Sequence, residues 1–326
     1  RRVDDVEKSV GKLRKAKQHV QQLTGTLRGL ERDKLAAEDP IFRRFLPGAE
    51  SGDQADFLVC TSAGEVGVNI SADHLVCDLS TFESMAQRFG RVNRFGDRND
   101  TEIHVVCPHE FDEKDESEQR RKKTLDLLRL LRGDASPKAL GELDLETRLA
   151  AFAPAPTILP TSDILFDSWA LTTIRGDLPG RPPVEPYLHG ISGWEPPQTH
   201  VAWREEVRVI KGDLLERYRP QDLLEDCPLK PHELLRDNSR RVFEWLKRIN
   251  VAAETPVWIV SDDDSIEVTT LAGLIESGEG AIPYKMVLLP PTAGGLDNGM
   301  LNADSDKADD VADKWFVDAD KVLSRR

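Results

Sequence analysis

Three arginines spaced by three, Arg88, Arg91 and Arg94, directly follow Gln87 in the stretch Gln87-Arg88-Phe89-Gly90-Arg91-Val92-Asn93-Arg94. A guanidinium is a planar fork of donors that matches phosphate oxygens, and one that closes on a nucleotide can stabilise charge developing on a transferred phosphoryl group. Carried on a helix, this spacing brings all three forks near one face. Gly90 costs helix stability and marks either a close backbone approach or a helix end. A solvated basic helix face has the same composition, so the stretch alone does not decide the matter.

A second stretch, Thr61-Ser62-Ala63-Gly64-Glu65-Val66-Gly67-Val68-Asn69-Ile70, changes the balance. It follows the short apolar run Asp56–Cys60, which reads as a buried parallel strand. Thr61, Ser62 and Gly64 stand at the C-terminal end of that strand, where open α/β sheets bind ligands. Gly64 and Gly67 would let backbone N–H groups approach phosphates, although such turns also serve packing alone. Leu75–Cys77 is the next strand. It leads through the caps of Asp78-Leu79-Ser80-Thr81 into a helix over Phe82–Phe89. Two phosphate-competent turns on adjacent strands of one sheet are hard to attribute to packing alone.

Thr61 to Asn69 resembles motif V of superfamily 2 helicases, and Gln87 to Arg94 resembles their motif VI, Q-R-x-G-R-x-x-R. Leu23 to Arg32 resembles the segment after the second strand of the C-terminal RecA-like lobe. Within the superfamily, Glu65-Val66-Gly67-Val68 and the Thr24–Arg32 pattern are most similar to the helicase-nuclease of type I CRISPR systems, in the subtype formerly labelled U. The motifs cover about the first third of the chain. The resemblance implies an ATP-dependent single-strand DNA translocase of antiviral defence, with ATP and magnesium held between two lobes. By the same resemblance Arg91, Arg94 and Gln87 would be catalytic. Gly64, Gly67, Asn69 and Arg88 would contact nucleotide, and Thr61, Ser62, Thr24 and Arg28 would contact the strand. An ordinary surface arginine is an equal reading of Arg28. Where the family has Asp this chain has Asn69, which keeps hydrogen bonding and loses charge.

The sequence contains no G-x-x-x-x-G-K-[ST], no Asp-Glu-x-[His/Asp] and no His-Asp dipeptide. The P-loop, the magnesium motif and the metal-dependent nuclease of the resembled family are therefore expected elsewhere, and no metal site is expected in these residues. The chain reads as the C-terminal part, or one subunit, of a larger motor that also meets a CRISPR surveillance complex. Two other readings remain: a non-catalytic binding module derived from a helicase lobe, and an RNA helicase.

At 326 residues the chain has room for two domains. No apolar run reaches membrane-spanning length, and Arg1-Arg2-Val3-Asp4-Asp5 is not a signal peptide. The four cysteines, Cys60, Cys77, Cys107 and Cys227, show no C-x-x-C spacing, which fits a reducing cytoplasm. The net charge is −14, and it is uneven. Residues 1–110 carry 16 basic and 18 acidic side chains, leaving 28 and 40 to the rest. A motor that holds a strand in a local groove does not need a basic whole.

Strands alternating with helices give a parallel-sheet, RecA-like α/β lobe over residues 1–110. Val3–Ala16 is an amphipathic helix, Val20–Leu23 a strand, Leu27–Ala37 a helix and Glu102–Cys107 a strand. Residues 111–161 form a helical connector that ends in the Pro-rich run Ala153–Pro160, the best linker. Residues 162–326 read as a smaller mixed α+β accessory domain. Its expected elements are helices at Ser162–Ile174 and Pro231–Ile249, and strands at Val201–Ile210, Val257–Val260, Ser265–Thr270 and Tyr284–Leu289. His189, Trp194, His200 and Trp203 could stack bases, though core tryptophans are the simpler reading. Gly294–Gly299 reads better as a turn than as an anion loop.

Overall fold

The computed structural model describes residues 3–49, 54–65, 68–171, 173, 180–188, 190–191 and 196–312. Its elements, in order, are α1 (Val3–Lys15), β1 (His19–Leu23), α2 (Gly29–Glu38), α3 (Pro40–Arg43), β2 (Asp56–Cys60), β3 (Leu75–Asp78), α4 (Phe82–Phe89) and β4 (Ile103–Val106). The helices α5 (Glu116–Leu130), α6 (Pro137–Glu142) and α7 (Leu145–Ala150) follow. Next come α8 (Asp163–Ala170), α9 (Glu185–Leu188), β5 (Gln198–Trp203), α10 (Glu205–Val209), α11 (Asp213–Arg217) and α12 (Pro220–Asp226). The last elements are β6 (Leu235–Asn238), α13 (Ser239–Leu246), β7 (Pro256–Val260), β8 (Ile266–Thr270), α14 (Leu271–Ser277), β9 (Met286–Leu289), β10 (Leu296–Asp297) and β11 (Met300–Leu301). No helix among the described residues is long and apolar enough to cross a membrane.

The chain divides into two compact units. The first holds Arg1–Gly25 and Leu35–Ala155, and the second holds Thr26–Lys34 and Pro156–Arg326. The change at Ala155 and Pro156 falls inside the Pro-rich run. Residues 111–155, read from sequence as a separate connector, cluster with the first unit, and Thr26–Lys34 clusters with the second.

In the first unit β1 pairs with β2 and β3 with β4, both in parallel, as two separate two-stranded sheets, so the turns after β2 and β3 do not stand on hydrogen-bonded neighbours in one sheet as the sequence suggested. Parallel strands need helical crossovers, and α2–α3 and α4 supply them. Phe82, Met85 and Phe89 form the apolar stripe of α4, packed with Cys77, Leu127, Leu140 and Ala151. Helix α5 starts where Asp115 accepts hydrogen bonds from the N–H groups of Ser117 and Glu118, so the charged run before it is partly its cap.

The second unit is a five-stranded mixed sheet in the order β6-β5-β9-β7-β8, parallel only between β5 and β9. Two sequence expectations fail here. The strand over Val201–Ile210 stops at Trp203, and Glu205–Val209 turns into α10, whose Val207 is buried. The helix over Pro231–Ile249 begins only at Ser239, where the Asn238 side chain caps it by accepting from the Arg240 N–H. Leu235 and Asp237 are buried and Arg236 is exposed, the two-residue alternation of a strand. The helical expectation at Ser162–Ile174 is met over Asp163–Ala170, and residues 172 and 174 lie outside the described residues. Trp203 is buried and its indole N–H donates to the Gly294 carbonyl at 2.9 Å, so it is core and not a stacking platform. His189 and Trp194 lie outside the described residues. The Gly294 and Gly295 N–H groups donate to Pro291 and Ser305 carbonyls, as in a closed turn.

Candidate functional site

The turn after β2 closes on itself. The Thr61 N–H donates to the Leu23 carbonyl on neighbouring β1 at 3.1 Å, and the Thr61 hydroxyl accepts from the Ala63 N–H. The Gly64 N–H donates to the Thr61 carbonyl, and the Glu65 N–H to the Ser62 carbonyl. These N–H groups are therefore used within the turn, so the sequence argument that Gly64 offers its amide to a phosphate is corrected. Gly64 is required by packing instead. A Cβ there would stand 2.8 Å from the Cys60 Cβ and 2.9 Å from its Sγ. Gly67 lies outside the described residues, and Ser62 and Asn69 are exposed.

Helix α4 ends at Gly90, and the three arginines do not share a helical face. After Gly90 the N–H groups of Arg91 and Val92 donate to Arg88 and Phe89 carbonyls, tightening the last turn. Asn93 then takes a left-handed φ of 44°, a conformation asparagine tolerates better than most residues. Its N–H donates to the Ala72 carbonyl, and the Ala72 N–H to the Arg91 carbonyl, stitching this corner to the segment before β3. The Arg94 N–H donates to the Ser71 hydroxyl at 3.1 Å.

The guanidiniums consequently have different tasks. Arg88 turns inward: its Nε is 2.9 Å from the Glu65 carboxylate and its Nη1 2.6 Å from the Asp78 carbonyl. That engagement corrects the nucleotide-contact reading of Arg88. Arg91 donates through Nε and Nη2 to the Glu65 backbone carbonyl, at 3.2 and 2.6 Å. It stays partly exposed, and Gln87 and Arg94 are exposed. Partial burial, and then the positive charge of Arg94, hold the Arg91 pKa below its ordinary value. The corner thus presents two neighbouring cations whose charge is not cancelled by this turn, an arrangement complementary to a polyanion.

Glu65 is the residue that sequence reasoning passed over. It is 8% exposed, and its carboxylate accepts from Arg88 and from the Ser84 hydroxyl at 3.0 Å. Its position inside the quoted motif was visible, but which arginine it would meet was not.

Thr24 and Arg28, read as strand contacts, are 1% and 2% exposed. The Arg28 Nε donates to Glu31 at 2.6 Å, and its Nη1 and Nη2 donate to the Asp309 carbonyl and carboxylate at 3.0 and 2.9 Å. A guanidinium so enclosed cannot meet a phosphate, and this expectation is corrected. Among the described residues no three His, Cys, Asp or Glu side chains converge as metal ligands.

Residues 1–97 match the family model "CRISPR-associated nuclease/helicase Cas3, C-terminal". This segment is Cas3-like. The match contains the turn after β2, helix α4 and the corner at Arg91 and Arg94. A comparison with curated proteins gave no match. Among solved structures the chain is similar to T. fusca Cas3 with AMPPNP, at 15% identity and a TM-score of 0.45, covering 89% of this chain and 35% of that one. It is also similar to T. fusca Cas3 with ATP, at 15% identity and a TM-score of 0.44, covering 92% and 35%. The chain therefore spans about a third of the length of these Cas3 chains.

Proposed function

We propose that the Cas3-like segment is the arginine-bearing, RecA-like lobe of an ATP-dependent single-strand DNA translocase acting in CRISPR interference. The observation that carries this reading is the corner itself. Arg91 is oriented by a backbone carbonyl beside Arg94, with Gln87 exposed on the same turn of chain. A carbonyl orients a guanidinium without neutralising it, so both charges remain available to a polyphosphate. ATP fits such a corner as the second half of a site whose first half cradles the phosphates.

This sequence has no P-loop, and its described residues hold no metal-ligand cluster. The main phosphate contacts and magnesium belong to a P-loop lobe in the same assembly. Arg91 and Arg94 act when that lobe closes, and closure and release step the lobes along one strand. Thr61, Ser62 and Asn69 remain the proposed contacts at the junction of nucleotide and strand, while Arg28 and Thr24 leave the proposal. The partners on this reading are single-stranded DNA, a CRISPR surveillance complex and a His-Asp nuclease domain, in the cytoplasm.

The test uses a protein that joins this chain to a P-loop lobe. Arg94→Ala should lower DNA-stimulated ATP hydrolysis by about 10³–10⁵ while ATP binding falls far less. Arg94→Lys should rescue poorly, since an ammonium lacks the planar fork. The chain alone should release no phosphate above background. A stimulated rate that survives Arg94→Ala would end the proposal.

A further inference from the structure

Glu65 meets two arginines by two different chemistries. Its carboxylate holds Arg88 and Ser84, both on α4, and its backbone carbonyl holds Arg91 beyond the end of that helix. Its own N–H is tied to the Ser62 carbonyl at 2.9 Å. The residue is thus fixed on three sides, and the only group it turns toward Arg91 is an uncharged dipole.

The allocation matters electrostatically. A carboxylate on Arg91 would cancel the charge that a phosphate must meet. With the carboxylate on Arg88, the inward arginine is neutralised and the outward pair, Arg91 and Arg94, is left cationic. Arg88 is 19% and Glu65 10% exposed at the side chain, so their pairing is little screened. The clamp also decides geometry. If the turn after β2 rocked away from α4, the carbonyl would leave Arg91, whose fork would then sample many rotamers.

We propose that Glu65 is the positioning residue of the arginine corner: its carboxylate clamps the turn after β2 onto α4 through Arg88 and Ser84, so that its carbonyl presets Arg91 for the phosphate of ATP. This deepens the proposed function and rests on it. The γ-phosphoryl group is the moiety that gains from a preset fork, since orientation counts most at the transition state.

The experiment measures DNA-stimulated ATP hydrolysis in the protein carrying both lobes, below the melting transition of each variant. Glu65→Ala should lower kcat by about 10²-fold, the effect of a small misplacement of a reacting group, with KM for ATP within about threefold. The Glu65→Ala/Arg91→Ala double variant should be no slower than Arg91→Ala alone, because the clamp acts only through Arg91. Loss of the clamp lowers the melting temperature on either reading, so additivity decides: a merely structural role would multiply the loss of Arg91→Ala. If Glu65→Ala does not fold, Glu65→Gln, which keeps shape and one acceptor, should fall in the same direction and be equally non-additive with Arg91→Ala. Independent, multiplying losses, or an unchanged kcat in the folded Glu65 variants, would overturn the inference. Arg94→Ala separates the two levels. If it loses stimulated hydrolysis while the Glu65 variants keep theirs, the positioning role alone fails; if it too keeps the rate, the motor reading fails.

Discussion

The Arg88 guanidinium reaches the Glu65 carboxylate at 2.9 Å across 23 residues of sequence, and so bolts helix α4 to the turn after β2. Two segments that each resemble a helicase motif are thereby one physical object. A pair this enclosed loses on the order of 3 kcal/mol when one partner is removed, because the other charge stays buried. The turn cannot move without α4, and this makes its other contacts testable.

Gly64 is the first. Gly64→Ala forces a methyl group against Cys60 and should destabilise the first unit by about 1–3 kcal/mol. Cys60→Ala should not rescue it, since the Cys60 Cβ is itself 2.8 Å from the new atom, whereas Cys60→Gly should rescue in part. Urea unfolding followed by circular dichroism would read this, and rescue by Cys60→Ala would contradict it.

The Cys60 thiol gives a pH prediction. Burial pushes its pKa from 9.0 to about 12. The unfolded chain therefore loses this proton first, and the folded state binds more protons between these values. The thiol's contribution is fully present below pH 9.0 and is lost as pH rises toward 12. Wild-type stability should fall more steeply than that of Cys60→Ala from pH 8 to about 11. At pH 8, iodoacetamide should modify exposed Cys107 well before Cys60.

Arg28 should now behave as a structural residue. Arg28→Ala leaves Glu31 and Asp309 facing a cavity, and should cost about 3 kcal/mol, the lower end for a broken buried pair because Asp309 is half exposed. All six tryptophans lie beyond Pro156, so their fluorescence reports the second unit alone. That transition should shift with Arg28→Ala and stay in place with Arg94→Ala. An unshifted transition together with weakened DNA binding would restore Arg28 to the strand.

Proteolysis should show the same discontinuity. Residues 153–158 are exposed, and a cut there separates 1–155 from the remainder covalently. Because Thr26–Lys34 belongs to the second unit, the two fragments should coelute under native conditions and separate only in denaturant. Separate native peaks would mean that this segment is not held.

What the sequence made legible follows from locality. The strand Asp56–Cys60 and the helix Phe82–Phe89 rest on short spacings, and the structure has both with these bounds. Beyond the helix end at Gly90, the left-handed backbone of Asn93 is held by Ala72, a partner 21 residues away that no periodicity announces. The inward turn of Arg88 depends on Glu65, and the burial of Arg28 depends on Asp309, so motif likeness placed both arginines on the wrong side of the surface. Over Pro231–Ile249 the apolar spacing suited a helix, yet pairing of Leu235–Asn238 with β5 won its first half.

The backbone of Arg28, Gly29 and Leu30 hydrogen-bonds to Gly299, Leu234 and His232, and Gly29 fits only because a Cβ would stand 2.3 Å from the Pro231 carbonyl oxygen. Arg28 and Asp309 are 281 residues apart. At about 5–20 residues per second, a ribosome needs on the order of 15–55 s to make the partner of an arginine it has already released. Helices and small parallel pairs form in far less time. Residues 1–25 and 35–155 therefore have time to fold while Leu27 and Leu30, buried in the finished protein, wait in water. During translation this nine-residue stretch is an open, largely charged loop whose two leucines are uncovered until the second unit is made.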